Sequence, residues 1–275
     1  MDVGEFLTKY KSGERNFSKI DLQNADLSNL NLDFVNFRES NLAGSKFVRC
    51  SLVRSNFREC NLQETQFTLS NLTQSNLISA DLKKSDLRGA KLTYASLRAA
   101  NLSDSNLAQA DLSFAYLSEA IMRHTDLRKS KMVQAVMFRA NLTRSSLAEA
   151  NLQGVNLSSS TLIGSNLEGI NLSESIMNGV NATGINAPRA NLSRSNLNGS
   201  NFTNAILTDA NLRESQITWA TLRGSNLTRA KLFRAKLCWS NLTGAVLKEA
   251  MLMDANLDEV NFTNANLTQA ILPLS

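Results

Sequence analysis

Apolar residues recur along this chain with a period of five, and the period holds from Phe17 to Leu272 without an insertion or deletion. The 52 residues at these positions, which we call centres, comprise 38 Leu, 7 Phe, 4 Met, 2 Ala and 1 Ile. The residue two before each centre is nearly always small, and the residue just before it is most often Asn or Asp. The consensus is therefore A/S-N/D-L-x-x.

A period of five fits neither the 3.6 residues of a helical turn nor the two-residue alternation of a strand. A solenoid can bury one residue in five if each pentapeptide forms one side of a turn and the turns stack. The pattern predicts such a solenoid, with the centres buried. In it, the Asn residues before the centres can form ladders in which stacked amides bond from coil to coil.

This consensus resembles that of the pentapeptide-repeat family, and the resemblance covers about 256 of the 275 residues. The resemblance implies an all-β fold: a right-handed quadrilateral β-helix with four pentapeptides per coil and about 13 coils in all. We expect residues 16–275 to form this β-helix. Residues 1–15 are expected to form a lead-in with a short N-terminal capping helix. The opening segment is similar to that of cyanobacterial members of the family.

The two ends of the solenoid need protection, because an open β-helix end exposes unpaired backbone and core side chains. Behind Asp2, apolar residues recur at helical spacing, which predicts the amphipathic capping helix; they are Val3, Phe6, Leu7 and Tyr10. At the other end, Leu272, Pro273 and Leu274 offer no evident cap. Two outcomes stay open there: a homodimer through the C-terminal coil, which some family members form, or blunting of the edge by Pro273.

Composition leaves little for catalysis. The single histidine, His124, cannot build a multi-histidine metal site, and Cys50, Cys60 and Cys238 have neither zinc nor disulfide spacing. Cys50 and Cys60 occupy the small inward positions and behave there as small hydrophobes. We expect no enzyme, no cofactor and no metal site. No apolar run reaches the roughly 18 residues of a membrane span, so we expect a cytoplasmic protein without membrane contact.

The excess of positive over negative charge is concentrated in one part of the chain. The net charge is +5, and residues 83–144 alone carry 11 basic against 5 acidic residues. Outward positions here form what we call the basic belt; its members are Lys84, Arg88, Arg123, Arg128, Lys129 and Arg144. The belt is either a solvated surface or a site for an anionic partner.

Outward apolar residues form columns at the 20-residue spacing of a coil. We call them the aromatic edge, and its members are Tyr94, Phe114, Tyr116, Val136, Phe138, Trp219, Phe233 and Trp239. Columns of aromatic residues on a polar solenoid are typical of a protein-binding face. Stacking that only stabilises the coils is the alternative.

These observations favour a non-enzymatic interaction scaffold or regulator that presents a rigid, rod-like surface to a protein partner, whose identity the residues do not indicate. A DNA-mimic modulator of topoisomerase (gyrase), known in the family, is an alternative from which the positive charge departs. Weak nucleic-acid binding through the basic 83–144 belt is the other alternative. We do not expect it, because the excess charge of +6 is small and interrupted by acids.

Overall fold

The computed structural model describes residues 1–274 and divides the chain into two compact units. The first unit is Met1–Val136, and the second begins at Met137. Helix α1, Val3–Lys11, lies in the first unit. It begins at Asp2, whose side chain accepts a hydrogen bond of 2.8 Å from the Glu5 backbone N–H.

Helix α1 contacts the first coils through two aromatic side chains, and the Tyr10 hydroxyl donates to the Asp33 carbonyl at 3.2 Å. Phe6 is fully buried, and its ring lies 4.6 Å from that of Phe17 and 5.5 Å from that of Phe37, measured between ring centroids. The predicted amphipathic helix is therefore present, with its apolar side on the solenoid. That it protects the coil against association stays a prediction.

Strands are reduced to single bridged residues throughout residues 1–274, and each bridge is parallel and joins residue i to residue i+20. In the first unit the bridges run from Asn16–Asn36 to Tyr116–Val136, and in the second from Asn141–Thr161 to Met251–Ile271. Twenty residues are four pentapeptides, and each pentapeptide contains one turn. Each unit is therefore a four-sided β-helix. The right-handed sense and the count of 13 coils stay predictions.

The turn in each pentapeptide requires an unusual backbone conformation. The N–H of a small residue donates to the carbonyl of the centre three residues earlier, as from Ala90 to Leu87 at 3.0 Å. The residue two after each centre, which we call the corner position, has φ near +60°, and 41 non-glycine corner residues adopt it. This is the sign that the third residue of a type II turn has. The consensus does not reveal it, because any residue type occupies the corner.

The predicted inward frame is confirmed. Centres from Phe17 to Leu252 are at most 3 % exposed. Inward serine hydroxyls donate hydrogen bonds to backbone carbonyls, as Ser85 does to Leu82 at 2.6 Å. Asn36 donates to Asn16 at 2.8 Å, as the predicted ladder requires. Its own Oδ1 accepts the Arg38 N–H at 3.1 Å, so one amide stabilises both the stack and the next turn.

The C-terminal coil differs from all others in the described chain. Its centres Leu257, Phe262 and Leu267 are half-buried, and Leu272 is 46 % exposed, whereas Leu252 is fully buried one coil earlier. Within residues 1–274, no further coil lies over these side chains.

Candidate functional site

A pair of aromatic rings stands on corner positions of the first unit. Tyr94 and Phe114 lie one coil apart, with ring centroids 4.9 Å apart and ring planes 5° from parallel. Their side chains project from left-handed backbone, with φ of 60° at both residues. Both are exposed, Tyr94 to 49 % and Phe114 to 36 %.

A second aromatic pair stands on corner positions of the second unit. Trp219 and Trp239 stack with centroids 5.2 Å apart and planes 13° from parallel. Trp219 is 67 % exposed and Trp239 50 % exposed, so each of these two large residues leaves at least half of its surface in water. They are the two tryptophans of the chain.

Two further members of the aromatic edge form a ladder in the first unit. Tyr116 is exposed and bridges Val136, which is half-buried. Both take the position before a centre, where the consensus has Asn, so they replace a hydrogen-bonding amide with apolar surface.

The two aromatic-edge phenylalanines of the second unit, Phe138 and Phe233, each lie against guanidinium groups of their own chain. The guanidinium of Arg139 lies 4.8 Å from the centroid of the Phe138 ring. The Phe233 ring has the guanidinium of Arg234 at 4.7 Å and that of Arg213 at 5.9 Å. Such cation–π contacts stabilise the surface locally. The structure thus brings the predicted residues together as separate pairs within each unit, and a single continuous edge stays a prediction.

In the basic belt, Lys84, Arg88 and Arg128 form ion pairs with carboxylates. Arg88 lies 2.6 Å from Asp86, and Arg128 lies 2.6 Å from Asp126 in an equivalent geometry. The hydrogen bond from Arg128 lowers the pKa of Asp126, so the carboxylate stays ionised and offsets the guanidinium. Lys84 lies 3.7 Å from Glu64. These pairs reduce the positive potential that the belt offers to an anion.

The other belt members are exposed, and they are divided between the units. Arg123 and Lys129 belong to the first unit and Arg144 to the second. The pairing of Arg88 and Arg128 with carboxylates in their own coils was not predicted. An Asp two residues before each arginine in the sequence would have indicated it.

The thiols of Cys50 and Cys60 are buried in environments that favour the protonated form. Cys60 Sγ donates to the Phe37 carbonyl at 2.8 Å, and burial raises the pKa of the Cys60 thiol to about 12. Burial also raises the pKa of Cys50. His124 is exposed at a corner position, and no cluster of three His, Cys, Asp or Glu side chains able to hold a metal occurs within residues 1–274.

Charge in the second unit is distributed unevenly around the coil, which the sequence analysis missed. The segments 156–164, 176–184 and 196–204 contain no charged residue, and they take equivalent places in successive coils. Charges of the same coils lie in the segments between them, for example Glu168, Glu174 and Arg194. Two adjacent sides are therefore uncharged in these coils, and Trp219 stands on the first of these sides one coil later.

Several further apolar residues are exposed that were not included in the predicted aromatic edge. Phe34 and Leu69 stand at corner positions, and Ile163 and Ile176 at other outward positions. Among the described residues, no helix is long and apolar enough to cross a bilayer.

Family comparisons agree with the coil geometry. A model described as a pentapeptide repeat region matches residues 12–77 and 44–115. A model of eight pentapeptide repeats matches residues 140–179, 190–229 and 230–269. Together they span most of both units, and the chain belongs to the pentapeptide-repeat family. No curated protein matches it at a significant level.

Solved structures similar to this chain include other pentapeptide-repeat proteins. HetL of the cyanobacterium Nostoc sp., described as involved in heterocyst differentiation regulation, is 27 % identical, with 99 % of this chain and 97 % of HetL covered and a TM-score of 0.36. QnrB1, a plasmid-mediated fluoroquinolone resistance protein, is 16 % identical, with 68 % and 89 % covered and a TM-score of 0.36. A thylakoid-lumen protein of Arabidopsis thaliana is 21 % identical, with 50 % and 64 % covered and a TM-score of 0.26.

Proposed function

We propose that this protein is a non-enzymatic scaffold or regulator that binds a protein partner through its exposed aromatic corners, with the Trp219–Trp239 pair as the main contact. The observation that carries this proposal is the exposure of two stacked indoles on left-handed backbone. Exposed tryptophan is rare on soluble surfaces and frequent at interface hot spots.

Energetics argue that this stack is not retained for stability. A non-glycine residue in the left-handed region costs about 1–2 kcal/mol. The lower chain entropy of a non-glycine residue returns about 0.5–1 kcal/mol of this. An aromatic pair returns about 0.5–1.5 kcal/mol by stacking. Relative to glycine at the same two corners, these contributions nearly cancel for Trp219 and Trp239, so the stacked indoles add little stability, and recognition explains them better.

The test is capture of partners from the native cell by tagged protein, followed by mass spectrometry. The double variant Trp219→Ala, Trp239→Ala is compared with wild type and with Leu69→Ala, a control that removes an exposed apolar corner residue of the other unit. We expect at least one partner to be lost with the double variant and retained by the control. Retention of all partners by the double variant would contradict the proposal.

If the protein bound nucleic acid instead, substitutions in the basic belt would matter and those at the tryptophan pair would not. Replacing Lys84, Arg88, Arg128 and Lys129 by Ser would then weaken binding and reduce its dependence on salt, because fewer counterions would be released. Under the proposed function these four substitutions leave the protein complex unchanged.

Homodimerisation through the C-terminal coil is a separate part of the proposal. It is supported by the half-buried centres Leu257, Phe262 and Leu267, which a second copy would cover. Sedimentation analysis of wild type and Leu267→Asp tests it. A monomer at all concentrations for wild type would rule it out.

A location in the cytoplasm also stays a prediction.

A further inference from the structure

Corner side chains in both units lean over the corner of the following coil. A Cβ built on Gly89 in the first unit would lie 2.8 Å from Leu69 Cδ2, and one on Gly224 in the second unit would lie 2.5 Å from Asn204 Oδ1. In both cases the obstructing side chain belongs to the residue 20 positions earlier. Each corner residue therefore covers the corner of the next coil, and a glycine leaves the next corner uncovered.

Consecutive glycines in one column create open corners in the second unit. Gly199 follows Gly179 one coil later, and a Cβ built on Gly199 would meet no atom within 4 Å. Gly184, one coil after Gly164, is open in the same way. Nothing leans over these corners, because the preceding residue has no side chain.

The open corner at Gly199 is distinguished by its neighbour. The next corner in its column is Trp219, whereas the next corner after Gly184 is Asn204. Trp219 stacks on Trp239, which lies one coil further toward the C-terminus. The opposite face of the Trp219 indole is therefore turned toward Gly199, and its exposure exceeds that of Trp239. Gly199 marks a vacant position at the end of an aromatic stack.

The dimensions of this position suit one ring. The two indoles are 5.2 Å apart, a spacing set by one coil. A third ring over Gly199 would continue the stack at the same spacing. It would cover the free indole face, which is the largest uncovered aromatic surface of the pair.

The surroundings favour an uncharged ligand. Segments 176–184 and 196–204, which carry Gly179 and Gly199, contain no charged residue. Asn198 Oδ1 is already engaged by Thr218, whose N–H and hydroxyl donate at 3.0 and 2.6 Å. A guanidinium would find no carboxylate in these segments, so an uncharged ring fits better than a stacked arginine.

We propose that the open corner at Gly199, walled by the free face of Trp219, binds an aromatic side chain from an uncharged segment of the partner protein. This inference rests on the proposed function and specifies the partner's chemistry at the same surface. The partner ring extends the indole stack by one position.

Filling the position from within gives the sharpest variant. Gly199→Trp places an indole where the partner's ring would bind, and the fold accepts it, because Gly199 has φ of 66° and Trp219 and Trp239 stand at 59° and 56°. Gly184→Trp is the matched control, since that corner is equally open and its φ is 65°. Trp219→Ala removes the wall of the site.

The probe is a displayed library of random dodecapeptides, selected on the full chain. We expect the enriched peptides to contain an aromatic residue and few charges. Gly199→Trp and Trp219→Ala should each weaken the binding of a selected peptide about tenfold or more, and Gly184→Trp should leave it within about twofold. Binding is measured by isothermal titration calorimetry, because Gly199→Trp and Gly184→Trp each add an indole to the two of the wild-type chain and Trp219→Ala removes one.

Several outcomes overturn the inference, and they separate it from the proposed function. Failure to enrich any peptide, enrichment of basic peptides, or binding that Gly199→Trp leaves intact would overturn it. If Trp219→Ala abolishes capture of the cellular partner while Gly199→Trp does not, the proposed function stands and this inference fails. Binding of neutral oligosaccharides on a glycan array that Gly199→Trp blocks would assign the site to sugars and overturn the assignment to a protein segment.

Discussion

Replacing one inward leucine tests the pentapeptide frame most directly. Leu107 is fully buried in an uninterrupted part of the first unit, and the centres one coil above and below, Leu87 and Leu127, are fully buried as well. Leu107→Ala removes three carbon atoms from this column. At about 0.8 kcal/mol per buried methylene, the lost transfer free energy is about 2.4 kcal/mol.

A cavity contribution adds to this loss, because the surrounding coils cannot collapse freely. The Leu107 N–H donates to the Asp126 carbonyl at 2.7 Å, and the Leu87 N–H donates to the Asn106 carbonyl at 2.7 Å, so the spacing of the coils is fixed by backbone bonds. Leucine-to-alanine changes in rigid cores cost about 2–5 kcal/mol, and we expect the upper half of that range.

Urea unfolding followed by far-ultraviolet circular dichroism measures the effect as a change in midpoint at constant slope. The control is Leu69→Ala, because Leu69 stands at a corner and is 55 % exposed. We expect it to cost less than about 1 kcal/mol. Equal losses for the two variants would refute the assignment of inward and corner positions.

Three further predictions concern the corner backbone, the buried thiol of Cys60 and helix α1. Ala99→Gly should stabilise the protein by up to about 1 kcal/mol in thermal unfolding, because Ala99 is exposed and has φ of 55°. Ala100→Gly, at a buried position, should instead destabilise the protein. The pKa of Cys60 is raised by burial to about 12 in the folded state, so the unfolded chain ionises first. Stability should therefore fall as the pH rises above 9, and Cys60→Ala should fall less steeply; parallel pH profiles would contradict this. Phe6→Ala should uncover Phe17 and cost about 3–5 kcal/mol, and an unchanged unfolding midpoint would show that helix α1 does not support the first coil.

Much of the candidate site could be predicted from the spacing of residues together with the four-sided coil that the family resemblance implies. Tyr94 and Phe114, and likewise Trp219 and Trp239, are 20 residues apart, and the repeat places such residues on the same corner of successive coils. Their stacking follows from that register, because one coil spacing is close to the distance between stacked rings.

Other properties of the site could not be predicted, because they depend on the direction in which side chains leave the backbone. The belt residues Arg88 and Arg128 turn to carboxylates in their own coils, which reduces the field that a count of charges suggested. The open corner at Gly199 depends on the lean of corner side chains toward the next coil, and no periodicity in the consensus reports that lean.

The sequence by itself determined the buried centres and the likeness to the family, since a strict five-residue period requires one residue in five to be buried. The 20-residue register followed from that likeness and not from the period. The tertiary structure alone decided the left-handed corners, the pairing of the belt and the vacant position beside Trp219. These features are set by backbone dihedrals and by contacts between residues a full coil apart, where the identity of the side chain matters less than the direction it takes.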